Sequence, residues 1–458
     1  MQGTGPGAGF PLESNHRCAR VRCQRSIGSL TSSPIWRTLG RCPNHRGDPR
    51  SVEHIERHDP EYGRVLACML LGSVVTFAVL YAPQPLIAVF SNEYGVSPAT
   101  ASASIALPTL ALAVSLLFVP TVSRRIGRKR TMGLSLFATS VLAIASGLGH
   151  SFGFFLAVRL LEGVAVSGFP AVAIAYLNEE ISPASIGGAM GAYVAGTAVG
   201  GFMGRVAIGP LTDWFSWQVA FIFLGVACLA CSVFFWVALP RSRNFRPAKI
   251  PLRDSLMALG TSLRRKELRV LYFMGFLLMG AYIMLLNYVG YPLTAAPYNL
   301  SQTALGSLFV VNLLGIISSM VFGRLADHHP RPILMGVACL VFAAGALLTL
   351  APNLWVKIAG IAVFVFGFFA AHTTATGWVG VAARADRKAT ASSLYLLFYY
   401  TGSSVVGWAG GYVWIAFGWL GLICAVCVLI ATCCGLLLVA SRNLRVARES
   451  SGSERLAA

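Results

Sequence analysis

From residue 64 onward, apolar residues run nearly unbroken for about twenty positions at a time, with short polar stretches between the runs. Twenty residues at a helical rise of 1.5 Å match a hydrocarbon layer of roughly 30 Å, so each run predicts a membrane-crossing helix. Twelve such runs lie near 65–90, 99–121, 131–149, 152–178, 187–212, 217–239, 269–293, 303–326, 331–351, 354–383, 389–417 and 418–440. The last two are fused. The pattern predicts an all-α membrane protein of twelve transmembrane helices, numbered 1 to 12 below.

The runs repeat as a set. Tyr81-Ala82-Pro83-Gln84-Pro85-Leu86 and Tyr288-Val289-Gly290-Tyr291-Pro292-Leu293 lie 207 residues apart, on helices 1 and 7. Gly196-Thr197-Ala198-Val199 is echoed by Gly402-Ser403-Ser404-Val405, and Ser242-Arg243-Asn244 by Ser441-Arg442-Asn443, in the same order. The echoes predict two six-helix bundles, 64–240 and 269–441, built as parallel repeats with a path between them. The basic stretch 241–268 would link them. Residues 1–63 are rich in Gly, Pro, Ser and Arg and have no apolar core, which excludes a secretory signal and predicts a disordered basic tail. Residues 442–458 would form a second tail.

Composition supports the membrane reading. The 458 residues are 56% hydrophobic and 12% charged, with mean hydropathy +0.68, against about 25% charge in soluble proteins. The net charge of +19 could signal nucleic acid, but its placement excludes that. Of the 36 Lys and Arg, 33 fall before helix 1, in alternate loops or in the tail, and the remaining three (Arg159, Arg205 and Lys357) fall within helices. Charge on alternate loops follows the positive-inside rule and places both termini in the cytoplasm. The eleven cysteines include C-x-x-C pairs at 228/231 and 424/427, but neither has a His or acidic ligand in its helix. They read as small apolar residues, not as a metal or redox site. No phosphate-binding G-x-x-x-x-G-K-[ST] occurs, and no nucleophile–base pair is recognisable, so no cofactor, no metal and no enzymatic activity are expected.

Two loops carry a signature. Between helices 2 and 3 the chain reads Pro120-Thr121-Val122-Ser123-Arg124-Arg125-Ile126-Gly127-Arg128-Lys129, and between helices 8 and 9 Gly323-Arg324-Leu325-Ala326-Asp327-His328-His329-Pro330-Arg331. The pair resembles the G-x-L-a-D-r-x-G-r-k loop of the major facilitator superfamily. The matching positions are Gly127, Arg128 and Lys129 in the first copy, and Gly323, Leu325, Ala326, Asp327 and Arg331 in the second. The resemblance implies a gate at the cytoplasmic side, closed by the loop acid pairing across the halves. Arg124 stands where the first copy should have its acid, and Glu179 or Glu180 would be its partner.

Helix 4 reads Arg159-Leu160-Leu161-Glu162-Gly163, similar to the superfamily's R-x-x-q-G. A charge inside a membrane helix costs roughly 2.5–3.5 kcal/mol on insertion scales and marks a proton or substrate path when it is kept. The i, i+3 spacing puts Arg159 and Glu162 on one face, and the resemblance implies proton coupling by the Arg. A purely structural pair is the competing reading. In helix 5, Gly196-Thr197-Ala198-Val199-Gly200-Gly201 is similar to a G-P-x-x-G-G run associated with export, with Thr197 in place of the Pro. The remaining intramembrane polar groups are candidate substrate contacts: Gln84, Arg205, Asn287, Tyr291, His372 and Tyr399.

Residues 65–445 also resemble the YnfM-type bacterial inner-membrane efflux permeases, through Tyr81-x-x-Gln84-Pro85, Gly367-Phe368-Phe369-Ala370-Ala371-His372, Ala391-Ser392-Ser393-Leu394-Tyr395 and Trp419. The resemblance implies a monomeric, multi-pass inner-membrane secondary transporter that exports a small organic molecule in exchange for protons by alternating access. Its partners would be that substrate, protons and the bilayer, with no nucleic acid. An importer or facilitator of the same fold, and a transport-inactive membrane sensor, are the alternatives.

Overall fold

The computed structural model describes residues 54–245, 257, 260–384 and 388–456. Among them the structure is helical, with a single bridging pair, Ile55–Ile181, outside the helices. Ten spans match helices 1 to 10: Pro60–Tyr94, Pro98–Ser115, Arg128–Leu148, Phe152–Glu180, Ile186–Trp214, Trp217–Ala238, Lys266–Thr294, Gln302–His328, Arg331–Leu348 and Leu354–Ala382. Helices 11 and 12 form one run, Lys388–Leu456, broken at Gly418, whose φ of 61° and ψ of −155° are not helical. Only glycine takes up that backbone readily. The fused pair therefore divides at the position where the apolar pattern divides it.

Side-chain contacts show how the helices alternate. At one end, the linker end, Tyr62 Oη donates to Ser185 O, Lys129 Nζ to Leu239 O, and Arg243 pairs with Glu61 at 2.8 Å. In the second half Arg265 donates to Ala382 O at this end. At the other, distal end, Trp217 Nε1 donates to Glu93 at 2.8 Å and Trp419 Nε1 to Thr349 O at 3.2 Å. An aromatic cluster of Phe90, Phe152, Phe155, Trp217 and Phe221 ties helices 1, 4 and 6 together there, with ring centroids 5.0–6.2 Å apart. Each such pair contributes about 0.5–1.5 kcal/mol beyond burial.

Of the expected tail, residues 1–53 lie outside the described residues. Residues 54–63, expected to be disordered, are packed: Ile55 N–H donates to Glu180 O, Ser182 N–H donates to Ile55 O, and helix 1 begins at Pro60. Part of the linker (246–256 and 258–259) also lies outside the described residues. Helix 12 runs on to Leu456, through the stretch read as a tail.

The molecule is apolar outward and polar at selected points within. Phe223, Val226, Val233 and Val237 of helix 6 are exposed, as a lipid-facing surface requires, while Ser140 and Ser232 meet at 3.0 Å between helices 3 and 6. Helices 1 and 5 approach backbone to backbone. A Cβ on Gly196, Gly200 or Gly204 would lie 2.5, 2.6 or 2.2 Å from the carbonyl oxygen of Leu70, Val74 or Ala78. The same three rungs recur 206 residues later between helices 7 and 11, as Gly402 against Phe276, Val406 against Gly280 and Gly410 against Met284. In the middle rung the glycine has changed sides.

Candidate transport site

Prolines prepare the first polar centre. A proline lacks the N–H that would bond the carbonyl four residues earlier, so Pro83 leaves Val79 O unbonded and Pro108 leaves Ser104 O unbonded. Arg159 takes both: Nη1 donates to Val79 O at 3.1 Å and Nε to Ser104 O at 3.1 Å. Nη2 donates to Leu80 O at 2.7 Å, beside the turn where helix 1 becomes a 3₁₀ segment at Gln84–Leu86. Nη1 also donates to Glu162 Oε1 at 2.6 Å. Arg159 and Glu162 are both 0% exposed, and Glu162 Oε2 has no partner. One arginine thus joins helices 1, 2 and 4 through carbonyls that proline has released.

The second polar centre lies between the halves. Arg205 of helix 5 donates from Nε to Gln84 Oε1 at 2.7 Å, and Gln84 Nε2 donates to Asn287 Oδ1 of helix 7 at 2.7 Å. The direction is forced. Arginine can only donate, so Gln84 must offer its oxygen to Arg205 and its nitrogen to Asn287, and Asn287 must answer with oxygen. Asn287 Nδ2 is then left buried without an acceptor. Arg205 Nη1 donates to Gly201 O, and its guanidinium lies over the rings of Tyr81 at 4.6 Å and Phe309 at 4.9 Å. Among the described residues no carboxylate pairs with Arg205, which is only 3% exposed.

Phe309 belongs to a 3₁₀ turn, Phe309–Leu313, inside helix 8. That turn also presents Asn312, which accepts from Tyr282 Oη. Tyr282 stacks on Phe368 with centroids 3.9 Å apart, and Phe368 stacks on His372. His372 Nδ1 lies 3.0 Å from Tyr395 Oη, and its ring 4.7 Å from that of Tyr399. Of the residues singled out in the sequence, Gln84, Arg205 and Asn287 form one group, while His372 and Tyr399 lie on the aromatic column that extends from it. Tyr291 goes elsewhere: it packs on Trp414 at 5.3 Å, and its hydroxyl donates to Ile87 O at 3.5 Å. Tyr81, Tyr282, Phe309 and Asn312 were not anticipated. Of these, Asn312, polar in an apolar run, and Tyr81, which opens the repeated segment beside Gln84, carried a signal in the sequence.

Bonds between the halves gather towards the distal end. Asp213 at the end of helix 5 accepts the backbone N–H groups of Gln302 (3.1 Å) and Thr303 (2.7 Å), which open helix 8, and the Thr303 hydroxyl at 2.6 Å. Ser404 Oγ donates to Ala106 O at 2.7 Å, and a Cβ on Gly411 would lie 2.4 Å from Ala99 Cα. Helices 5 and 8, and helices 2 and 11, are closed on each other here.

Comparison with known proteins fits this architecture. The family model described as Major Facilitator Superfamily matches residues 69–407. The chain belongs to that superfamily. It is 42% identical over 372 residues to the uncharacterised MFS-type transporter YybF of Bacillus subtilis (81% of this chain, 92% of YybF). It is 37% identical over 389 residues to the inner membrane transport protein YnfM of Escherichia coli (84% and 93%). Among solved structures, a bacterial homologue of the human lysosomal transporter Spinster, inward-facing and unoccupied, aligns with TM-score 0.72 at 16% identity, covering 84% of this chain and 98% of that one. The nucleoside transporter NupG aligns at 0.67 and 12% identity, covering 82% and 99%. At these identities the two structures speak for the fold alone. The protein is a multi-pass membrane transporter of the facilitator fold.

The superfamily's loop signature takes up a local role in this conformation. Gly127, with φ of 96°, turns the chain between the short helix Val119–Ile126 and helix 3. That turn aims Arg128, not Arg124, at helix 4: Arg128 holds Glu179 through Nη2 (2.6 Å) and Nε (3.1 Å) and reaches Ser123 at 3.1 Å. The partner proposed for Arg124 is therefore taken, because Arg124 precedes the turn and Arg128 follows it. Glu180 is taken as well, by the backbone N–H groups of Arg243 and Asn244. Lys129 donates to Leu239 O, within the same half. In the second copy Gly323 is an ordinary helical residue. Asp327 forms no ion pair among the described residues, and Arg331 Nε is buried without a partner. No ion pair crosses the halves at the linker end among the described residues. The glycine row of helix 5 packs against helix 1, which explains its spacing without reference to transport direction.

Proposed function

We propose that this transporter exports a small organic molecule in exchange for protons, with Glu162 as the group that takes up the proton and Arg159 as the residue that positions it. The observation carrying the reading is the buried Arg159–Glu162 pair, whose Oε2 has no partner. A carboxylate with one oxygen held and one free has a vacant place for a proton, and intramembrane acids of this kind mark proton relays. Both side chains are sealed from water in the conformation described, so proton exchange belongs to another stage of an alternating-access cycle. Gln84, Arg205, Asn287, His372 and Tyr399 contribute to the substrate path. Tyr291 and Asp213 hold the distal end shut, and Gly127, Arg128, Lys129, Gly323, Asp327 and Arg331 serve the gate at the linker end. That end faces the cytoplasm of a bacterial inner membrane, with both termini inside, and the working unit is the monomer.

The test is proton flux in proteoliposomes supplied with candidate drugs and sugars. Under this reading, substrate movement releases protons in the opposite direction and stops when the pH gradient is collapsed. Glu162→Gln keeps downhill exchange of substrate but loses gradient-driven accumulation. Transport that ignores the pH gradient, or a Glu162→Gln variant that couples like the wild type, overturns the reading. Substrate and protons moving together identify an importer instead.

A further inference from the structure

We infer that the Arg205–Asn287 centre is a binding site for an organic anion, a carboxylate carried on an apolar body. The inference rests on the transporter reading only in calling that anion a substrate.

Directed hydrogen bonding carries it. The run Arg205 to Gln84 to Asn287 begins with a group that can only donate, and it ends with Asn287 Nδ2, a donor that is 2% exposed as a residue and has no acceptor. Arg205 adds a positive charge 3% exposed, with Nε and Nη1 engaged by Gln84 and Gly201 and no acceptor on Nη2 among the described residues. The atoms left without a partner on both sides of the centre are therefore donors. Of the acids among the described residues, only Glu162 lies deep inside a membrane helix, and its Oε1 is paired with Arg159. Hydrophobic burial of a lone cation is unfavourable, so an acceptor with negative charge is what the centre lacks. A planar carboxylate suits a guanidinium in particular, since two of its N–H groups can be met at once.

The surroundings define the rest of the ligand. Tyr81 and Phe309 flank the guanidinium, and Tyr282 and Phe368 continue the aromatic wall. Such walls favour an apolar body behind the charged head. The two free donors stand on different halves, Arg205 on helix 5 and Asn287 on helix 7. A bound carboxylate would thus bridge the halves at the level where they must separate.

The experiment uses the full chain in nanodiscs and needs no gradient. Thermal stabilisation is titrated with short monocarboxylates (benzoate, phenylacetate, hexanoate, octanoate), each paired with its uncharged carboxamide. At least one acid is expected to bind, and to bind about tenfold or more tightly than its amide, as loss of a charge-assisted contact predicts. Arg205→Gln should abolish that preference, Arg205→Lys should retain much of it, and Asn287→Leu should weaken acid binding several-fold. Lys357→Gln, which removes a buried cation at the distal end, should leave the preference intact. Equal binding of acids and amides, no binding by any acid, or an acid preference that survives in Arg205→Gln overturns the inference. Because Arg205→Lys preserves the charge, a misfolded glutamine variant does not decide the matter alone. Acid binding without transport would sink the transporter mechanism and spare this site. Export of neutral compounds that persists in Arg205→Gln would do the reverse.

Discussion

Of the arginines buried among the described residues of the first half, Arg159 and Arg205 lie deep within membrane helices, and the protein treats them in opposite ways. Arg159 is surrounded: three carbonyls and one carboxylate meet its guanidinium, and two of those carbonyls are free because Pro83 and Pro108 cannot bond them. Arg205 is left wanting. It has a glutamine, one carbonyl and two aromatic faces, and no carboxylate pairs with it among the described residues. A cation whose bonds are met within the protein holds helices together or carries a proton. A cation whose bonds are unmet awaits a partner from outside. Burial alone does not separate these roles; the list of acceptors does.

The largest expected effect tests that contrast directly. Arg159→Met strands Glu162 and leaves the proline-released carbonyls unbonded, so it should cost about 3–5 kcal/mol, as breaking a buried pair does. Arg205→Met breaks two hydrogen bonds but also removes a buried charge that has no counter-charge, so the two effects offset and it should cost about 1 kcal/mol or less. Chemical unfolding of the two variants in nanodiscs measures the difference. Equal losses would mean that Arg205 is as structural as Arg159. Adding Glu162→Leu to Arg159→Met should recover much of the lost stability, because the orphaned carboxylate is gone, while gradient-driven transport stays lost.

Much of this was legible in the chain. Helix number, the recurrence of the helix 1–5 rungs between helices 7 and 11 and the proximity of Arg159 to Glu162 follow from apolar length, echoed segments and i, i+3 spacing. What stayed hidden depends on how distant segments meet. Nothing in the sequence says that Arg159 answers Pro83 and Pro108, since those residues lie on three different helices. The sequence pattern also pointed Arg124 at Glu179 or Glu180. The backbone turn at Gly127 decides for Arg128, and a turn with positive φ is not read from charge spacing. Tyr291, equivalent to Gln84 by the repeat, proved to be part of the distal closure because its half carries Trp414 beside it.

A smaller effect examines why the halves diverged. The rungs between helices 1 and 5 recur between helices 7 and 11, yet the position matching Arg205 at the 206-residue offset is Gly411, where helix 11 closes on Ala99 of helix 2. One copy spent the position on charge, the other on contact. In the middle rung the first half has Val74 against Gly200 and the second has Gly280 against Val406. Gly200→Val alone should overpack the interface and cost about 1–3 kcal/mol. Val74→Gly combined with Gly200→Val recreates the arrangement of the second half and should recover part of that loss. If the double variant is less stable than the single one, the rungs are not equivalent and the likeness of the halves is only one of sequence.

The smallest effect concerns the distal closure that keeps the Arg205 centre assembled. Asp213 accepts two backbone N–H groups at the start of helix 8, where a negative charge is favoured by the unbonded donors and the helix dipole. Asp213→Asn keeps an acceptor but removes the charge, which should weaken the closure by about 0.5–1 kcal/mol, a two- to fivefold shift in the balance between closed and open forms. Spin labels at the exposed positions Phe215 and Asn299, on opposite halves, would report it as a larger population at long separation. Opening the distal end also draws Asn287 away from Gln84, so carboxylate binding at Arg205 should weaken in step. The Arg159 centre lies wholly within the first half and should not respond. A distance distribution unchanged by Asp213→Asn would show that the contacts of helix 2 with helix 11 suffice to hold the closure. A change that also loosened Arg159 would show that the two arginine centres are one unit.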